Sequence, residues 1–157
     1  MNGLLFPLAH AKDIVEAVDI VEKERLLDSG FTALIDTFVP ADETPGAIDL
    51  GIDLPILARI RTNQKYLNVI EQMFDDLNTL MQEQHEKRFE VATLAQRTDV
   101  VSRILYSSVQ YKDAKIQLSS LRTSTLSMFY SSEAAFEMLD YHPPSQGGYP
   151  DYARPPA

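Results

Sequence analysis

Between Gln64 and Gln84 the residues Leu67, Ile70, Phe74, Leu77 and Met81 recur at three- and four-residue steps, flanked by Tyr66, Met73 and Leu80. A helix with about 3.6 residues per turn brings all of them to one side. The stripe runs for about five to six turns. A face that long and apolar must be covered, and a helix is covered most simply by other helices. This segment alone points to an all-α fold.

The rest of the chain supplies the covering elements. From Lys12 to Asp28, Ile14, Val15, Val18, Val21 and Leu26 recur at helical spacing, with Glu16, Asp19, Glu22, Lys23 and Glu24 on much of the other face. Ser29-Gly30 is expected to end that helix, because glycine tolerates the left-handed cap. A short second helix follows over Phe31 to Val39 with Leu34, Ile35 and Phe38 inward, and Pro40 stops it. Asp53 is expected as an N-cap, with Pro55 in the first turn of a helix over Leu54 to Arg61. Thr93-Leu94-Ala95-Gln96 has the spacing of a capping box, which opens a helix through Val100, Val101, Ile104 and Leu105. Tyr111 to Tyr130 is a further helix with Ile116, Leu118, Leu121, Leu126, Met128 and Phe129 as its apolar positions. Ser131-Ser132 caps a last short one through Ala135, Phe136, Met138 and Leu139. Strand signals are weak throughout. The expected architecture is an irregular helical bundle over residues 12–140, with an N-terminal arm over 1–11 and an extended tail over 141–157.

The tail is set apart by composition. His142-Pro143-Pro144-Ser145-Gln146-Gly147-Gly148-Tyr149-Pro150-Asp151-Tyr152-Ala153-Arg154-Pro155-Pro156-Ala157 holds five prolines, which lack the amide donor a helix needs. The arm is apolar at Gly3-Leu4-Leu5-Phe6-Pro7-Leu8-Ala9 and carries no positive residue. It reads as a packing arm rather than an export signal, and no stretch reaches transmembrane length.

Charge and composition exclude several function classes. The formal net charge of −9 repels nucleic-acid phosphates and anionic lipid. There is no basic stripe, so nucleic acid is not an expected partner. The absence of cysteine removes disulfides, thiolate metal sites and a cysteine nucleophile.

Reactive groups do not converge in the sequence. His10, His85 and His142 lie far apart. A carboxylate-bridged di-iron bundle needs two Glu-x-x-His elements on facing helices, yet Gln82 stands three residues before His85 and no second copy exists. Asp75-Asp76 are adjacent on a helix and so diverge. Asp42-Glu43 sit between prolines on a loop, where partner contact or capping is expected before acid–base chemistry. The serines lack a nucleophile elbow, and the six glycines are too dispersed for a phosphate loop or dinucleotide fingerprint.

Two non-helical segments remain as candidates for contact with another protein. In the loop these are Pro40, Asp42, Glu43, Thr44, Pro45 and Gly46. In the tail they are Tyr141, Pro143, Tyr149, Pro150, Asp151 and Tyr152. Proline-restricted chain loses little entropy on docking, and tyrosine offers a broad ring with one polar tip.

These same residues carry a family resemblance. Phe38-Val39-Pro40-Ala41-Asp42-Glu43-Thr44-Pro45-Gly46-Ala47 resembles the I-I-P-A-D-x-T-P-G-A segment of the gluconate 2-dehydrogenase subunit 3 family. Arg88-Phe89, Leu94-Ala95-Gln96-Arg97 and Val100-Val101 resemble its R-F-x-x-L-x-x-x-Q-R region. Phe129-Tyr130-Ser131-Ser132, Leu139-Asp140-Tyr141 and Gln146-Gly147-Gly148-Tyr149-Pro150-Asp151-Tyr152 resemble its closing pattern.

The resemblance implies the small, or gamma, subunit of a flavin-dependent sugar dehydrogenase, itself without catalytic residues, metal or cofactor. FAD, and in some members an iron–sulfur cluster, would belong to a large catalytic subunit of the glucose–methanol–choline (GMC) class. A cytochrome c subunit takes the electrons onward in many such assemblies. The small subunit would stabilise the large one and assist its maturation. Substrates across the family include gluconate, glucose, glucosides oxidised at carbon 3, fructose and sorbitol. The implied location is the periplasm. No twin arginine occurs here, the first arginine being Arg25, so a cytoplasmic complex is the alternative. The competing reading of function is a self-contained helical homo-oligomer or scaffold module unrelated to redox chemistry.

Overall fold

The computed structural model describes residues 8–107 and 109–140, with side chains described from Val18 onward. Among the described residues six α-helices follow one another: α1 Leu8–Phe38, α2 Asp53–Arg61, α3 Gln64–His85, α4 Leu94–Tyr106, α5 Lys112–Tyr130 and α6 Glu133–Met138, with a 3-10 turn at Phe89–Val91 between α3 and α4. No strand occurs among the described residues. The fold is an irregular all-α bundle.

The amphipathic helix α3 lies at its centre. Ile70, Met73, Phe74, Leu77, Leu80 and Met81 are buried, and α2, α4 and α5 pack against it. Asn63 caps it, its side chain accepting from the amides of Lys65 and Tyr66 at 3.1 and 3.2 Å. At the other end Glu86 closes it in the left-handed conformation (φ 53°), where the backbone reverses without a glycine. Its Asn78 reaches out to accept from the Phe89 amide at 2.9 Å. That bond holds the 3-10 turn so that the fully buried Phe89 ring meets Phe74 edge to face, with centroids 6.4 Å apart. Edge-to-face pairing sets the positive ring edge against the negative ring face.

The capping box at Thr93 is present in full. The Thr93 amide donates to Gln96 Oε1 at 3.0 Å and the Gln96 amide to Thr93 Oγ1 at 3.3 Å. Ser132 likewise caps α6 by accepting from the Ala135 amide.

Three local expectations are corrected. Ser29-Gly30 does not end a helix, because α1 runs unbroken through it. Gly30 is buried, and a Cβ there would stand 3.3 Å from Phe74 Cε1, so the glycine serves close packing of α1 on the α3 ring. Ser29 turns its hydroxyl back to the Arg25 carbonyl at 3.0 Å and so does not compete for the helix. Asp53 is the first residue of α2 rather than its cap; its carboxylate is buried and accepts from Thr32 Oγ1 at 3.2 Å. In α5 the inward face is Ala114, Leu118, Leu121, Thr125 and Phe129, while Ile116 and Met128 are exposed. Thr125 is tolerated inside because its hydroxyl donates to the Leu121 carbonyl at 2.9 Å.

Candidate partner-binding surface

The chain between α1 and α2 closes on itself. The Ala47 amide donates to the Val39 carbonyl at 3.0 Å, and the Ile52 amide to the Ala47 carbonyl at 3.0 Å. Inside that closure Asp42 Oδ1 accepts from both the amide and the hydroxyl of Thr44, at 2.8 and 2.9 Å. These two bonds favour the ionised carboxylate and hold its pKa below the ordinary value, the Thr44 amide contributing most. Asp49 Oδ2 in turn accepts from the Gly46 amide at 2.8 Å.

Gly46 is required here by space. A Cβ would lie 2.5 Å from the Ala41 amide nitrogen and 2.9 Å from both the Pro40 carbonyl carbon and the Val39 oxygen. The two arms of the loop therefore touch backbone to backbone. Gly51, by contrast, is needed for its backbone angle, at φ +63° in the turn that leads into α2.

The closure sorts the loop residues into two roles. Gly46 and Ala47 are buried and Thr44 is half-buried, so they hold the shape. Pro40, Asp42, Glu43 and Pro45 are exposed and form its outer surface. The six tail residues Tyr141, Pro143, Tyr149, Pro150, Asp151 and Tyr152 lie outside the described residues.

One residue missing from the sequence-based site anchors this surface. Arg97, in the first turn of α4, donates from Nη1 to the Ala33 carbonyl at 2.7 Å and from Nη2 to Asp36 Oδ2 at 2.6 Å. Its side chain is only 11% exposed. The same Ala33 carbonyl accepts from Thr37 Oγ1 at 2.6 Å. Arg97 thus pins the last turns of α1, from which the loop departs. The guanidinium suits this because its planar fork serves a carbonyl and a carboxylate at once. The only signal in the sequence was its place in the Leu94-Ala95-Gln96-Arg97 block.

Beside the loop lies an open cleft of about 620 Å³, walled by Asp28, Thr32, Asp36, Gly46, Asp49 and Arg97 among others. Elsewhere the carboxylate pair Asp75-Asp76 diverges as expected, Asp75 being exposed and Asp76 half-buried. The pKa of Asp76 is raised, chiefly by burial and then by the charges of Asp75 and Asp113. Among the described residues no group of three or more histidines and carboxylates is placed to hold a metal ion. No helix among them is long and apolar enough to cross a membrane.

The family is shown directly: the model for gluconate 2-dehydrogenase subunit 3 matches residues 30–147, well over half of the chain, and the protein belongs to that family. That membership is consistent with a non-catalytic, accessory role within a dehydrogenase. No curated protein and no solved structure gives a significant match.

Proposed function

We propose that this chain is the small subunit that stabilises the large FAD-dependent GMC-class subunit of a sugar dehydrogenase complex and assists its maturation. The observation that carries the reading is the loop from Pro40 to Ala47, in a chain of this family. Its internal bonds run from Ala47 to Val39, from Thr44 to Asp42 and from Gly46 to Asp49, leaving Pro40, Glu43 and Pro45 turned outward. A loop ordered before contact loses little further entropy when a partner arrives. Binding the folded large subunit and not its unfolded chain then stabilises that subunit by mass action, by about 2.7 kcal/mol when the free small subunit is at a hundred times Kd.

In this reading FAD and the sugar lie entirely on the partner. The tail from Tyr141 to Tyr152 adds a second clasp, and a cytochrome c subunit receives the electrons where one is present. The complex works in the periplasm. The test is co-expression of a GMC-class large subunit from the same source with and without this chain. Soluble, flavin-loaded large subunit is expected to rise several-fold with it, and equal yields in the two cases refute the role.

A further inference from the structure

Helix α2, the start of α3 and the rear half of α5 enclose an open groove of about 850 Å³, the size of a ligand site. Its floor is apolar, with Ile56 at 8%, Ile60 at 0% and Leu121 at 1% exposure. Its walls carry no carboxylate. From Leu54 to Ile70, and again from Ala114 to Ser132, the chain has no Asp or Glu. These two stretches supply every residue that lines the groove. In a chain of net charge −9 this is a marked exception. Other clefts differ: Asp19, Glu71 and Asp75 line the one between α1 and α3, and Asp28, Asp36 and Asp49 the one beside the loop.

Arg59 is the one charged residue that lines the groove. Its guanidinium is exposed and makes no ion pair or hydrogen bond among the described residues, whereas nearby Arg61 pairs with Asp28. Ser120, Ser124 and Ser127 follow one another at i, i+4 and i+7 along one side of α5. Their hydroxyls also take no hydrogen bond among the described residues. At physiological salt a charge is felt over about 8 Å, so an incoming group meets the local walls rather than the net charge of the chain. A carboxylate finds Arg59 and hydroxyl donors here, and like charge at the other two clefts. A basic segment finds no counter-charge here and meets Arg59. A wholly apolar one would strip water from Arg59 and the serines without replacing it, which costs free energy. The arrangement selects an acidic segment that also carries an apolar side chain.

We propose that the α2–α5 groove docks an acidic segment of the large flavoprotein subunit, with a carboxylate on Arg59 and an apolar side chain over Ile56, Ile60 and Leu121. The proposal rests on the function proposed above and adds a contact that uses no residue of the Pro40–Ala47 loop. The test reads the ratio of this chain to a tagged GMC-class large subunit from the same source after co-expression and affinity capture. Ser124→Glu puts a like charge in the groove, and Ser124→Lys a side chain of similar bulk and opposite sign. Position 124 is exposed, so the thermal midpoints of both isolated variants are expected within about 2 °C of the parent. The ratio is expected to fall about tenfold or more with Ser124→Glu and to stay within about twofold with Ser124→Lys. Arg59→Gln is expected to lower it about tenfold, and Arg59→Lys, which keeps the charge, to restore most of the loss. Equal ratios for the parent and all four variants overturn the groove contact while leaving the accessory role standing. An equal loss with Ser124→Glu and Ser124→Lys reveals a contact indifferent to charge and overturns the acidic occupant. Failure of the parent chain itself to be captured overturns both readings. A dimer of the parent chain that Ser124→Glu abolishes assigns the groove to a second copy and overturns the proposal.

Discussion

Replacing Gly46 with alanine tests the closed loop directly. The added methyl meets backbone atoms on the opposite arm at 2.5–2.9 Å, and backbone cannot swing aside as a side-chain tip can. Overpacking of this kind costs about 1–3 kcal/mol. If the arms part to make room, the bonds from the Ala47 amide to Val39 and from the Gly46 amide to Asp49 are lost with them. Each is worth about 1 kcal/mol net. Either route gives a loss of about 1–3 kcal/mol, which is a sizeable part of a typical domain's margin of 5–15 kcal/mol. At about 2–4 °C per kcal/mol for a chain of this size, a 3 kcal/mol loss lowers the melting midpoint by roughly 6–12 °C. Urea unfolding followed by circular dichroism at 222 nm measures it. Pro45→Ala, on the exposed side of the same loop, serves as the control and should change stability by less than about 1 kcal/mol. A Gly46→Ala loss below about 0.5 kcal/mol refutes the argument that the two arms touch.

Arg97→Met keeps most of the stem's packing and removes the bonds to Ala33 and Asp36. Because Asp36 is 34% exposed and can be rehydrated, the expected loss is about 2 kcal/mol rather than the 3–5 of a fully buried pair. A urea midpoint matching the parent's argues that the guanidinium pins nothing. Asp76→Asn should act in the opposite sense. Burial and the nearby Asp75 and Asp113 raise the Asp76 pKa above the ordinary 3.8, so the folded state holds its proton more tightly than the unfolded chain does. That contribution is fully present below about pH 3.8 and lost as pH rises through the raised value. At neutral pH the ionised carboxylate is therefore a small cost. The asparagine variant should be more stable than the parent at pH 7, by no more than about 0.5 kcal/mol given solvent screening, and no more stable near pH 3. Paired melting curves at the two pH values check the sign.

The helical bundle was legible in the sequence wherever a local rule was sufficient. The α3 stripe, the Thr93 capping box and the Ser132 cap each depend on residues within a few turns. Errors arose where a distant element decided the outcome. Glycine is a common cap, so Gly30 reads locally as a terminator, but its neighbour is Phe74, which no local window contains. In α5 the pattern gives Leu118, Leu121 and Phe129 as inward but not Thr125, which counts as polar until its hydroxyl is seen bonded to Leu121. The loop from Pro40 to Ala47 was recognised as stiff from its prolines. Its closure was not, because the bonding of Asp42 to Thr44 and the approach of Gly46 to Ala41 follow from the course of the chain. Arg97 acts across more than sixty residues of sequence, on Ala33 and Asp36, and neither its spacing nor its charge announces that role.

A helix is only as durable as the surface that backs it. The single hydrogen-bonded ladder of α1 therefore contains two thermodynamic segments. Behind Leu26 buried side chains tie the amides to the bundle, so they are expected to open with it, whereas from Val18 to Arg25, where every side chain is exposed, the amides are expected to open at a smaller free energy. Covering the front half would merge the two segments. Assembly would then be recorded as a change in cooperativity along one helix, with no change of shape required.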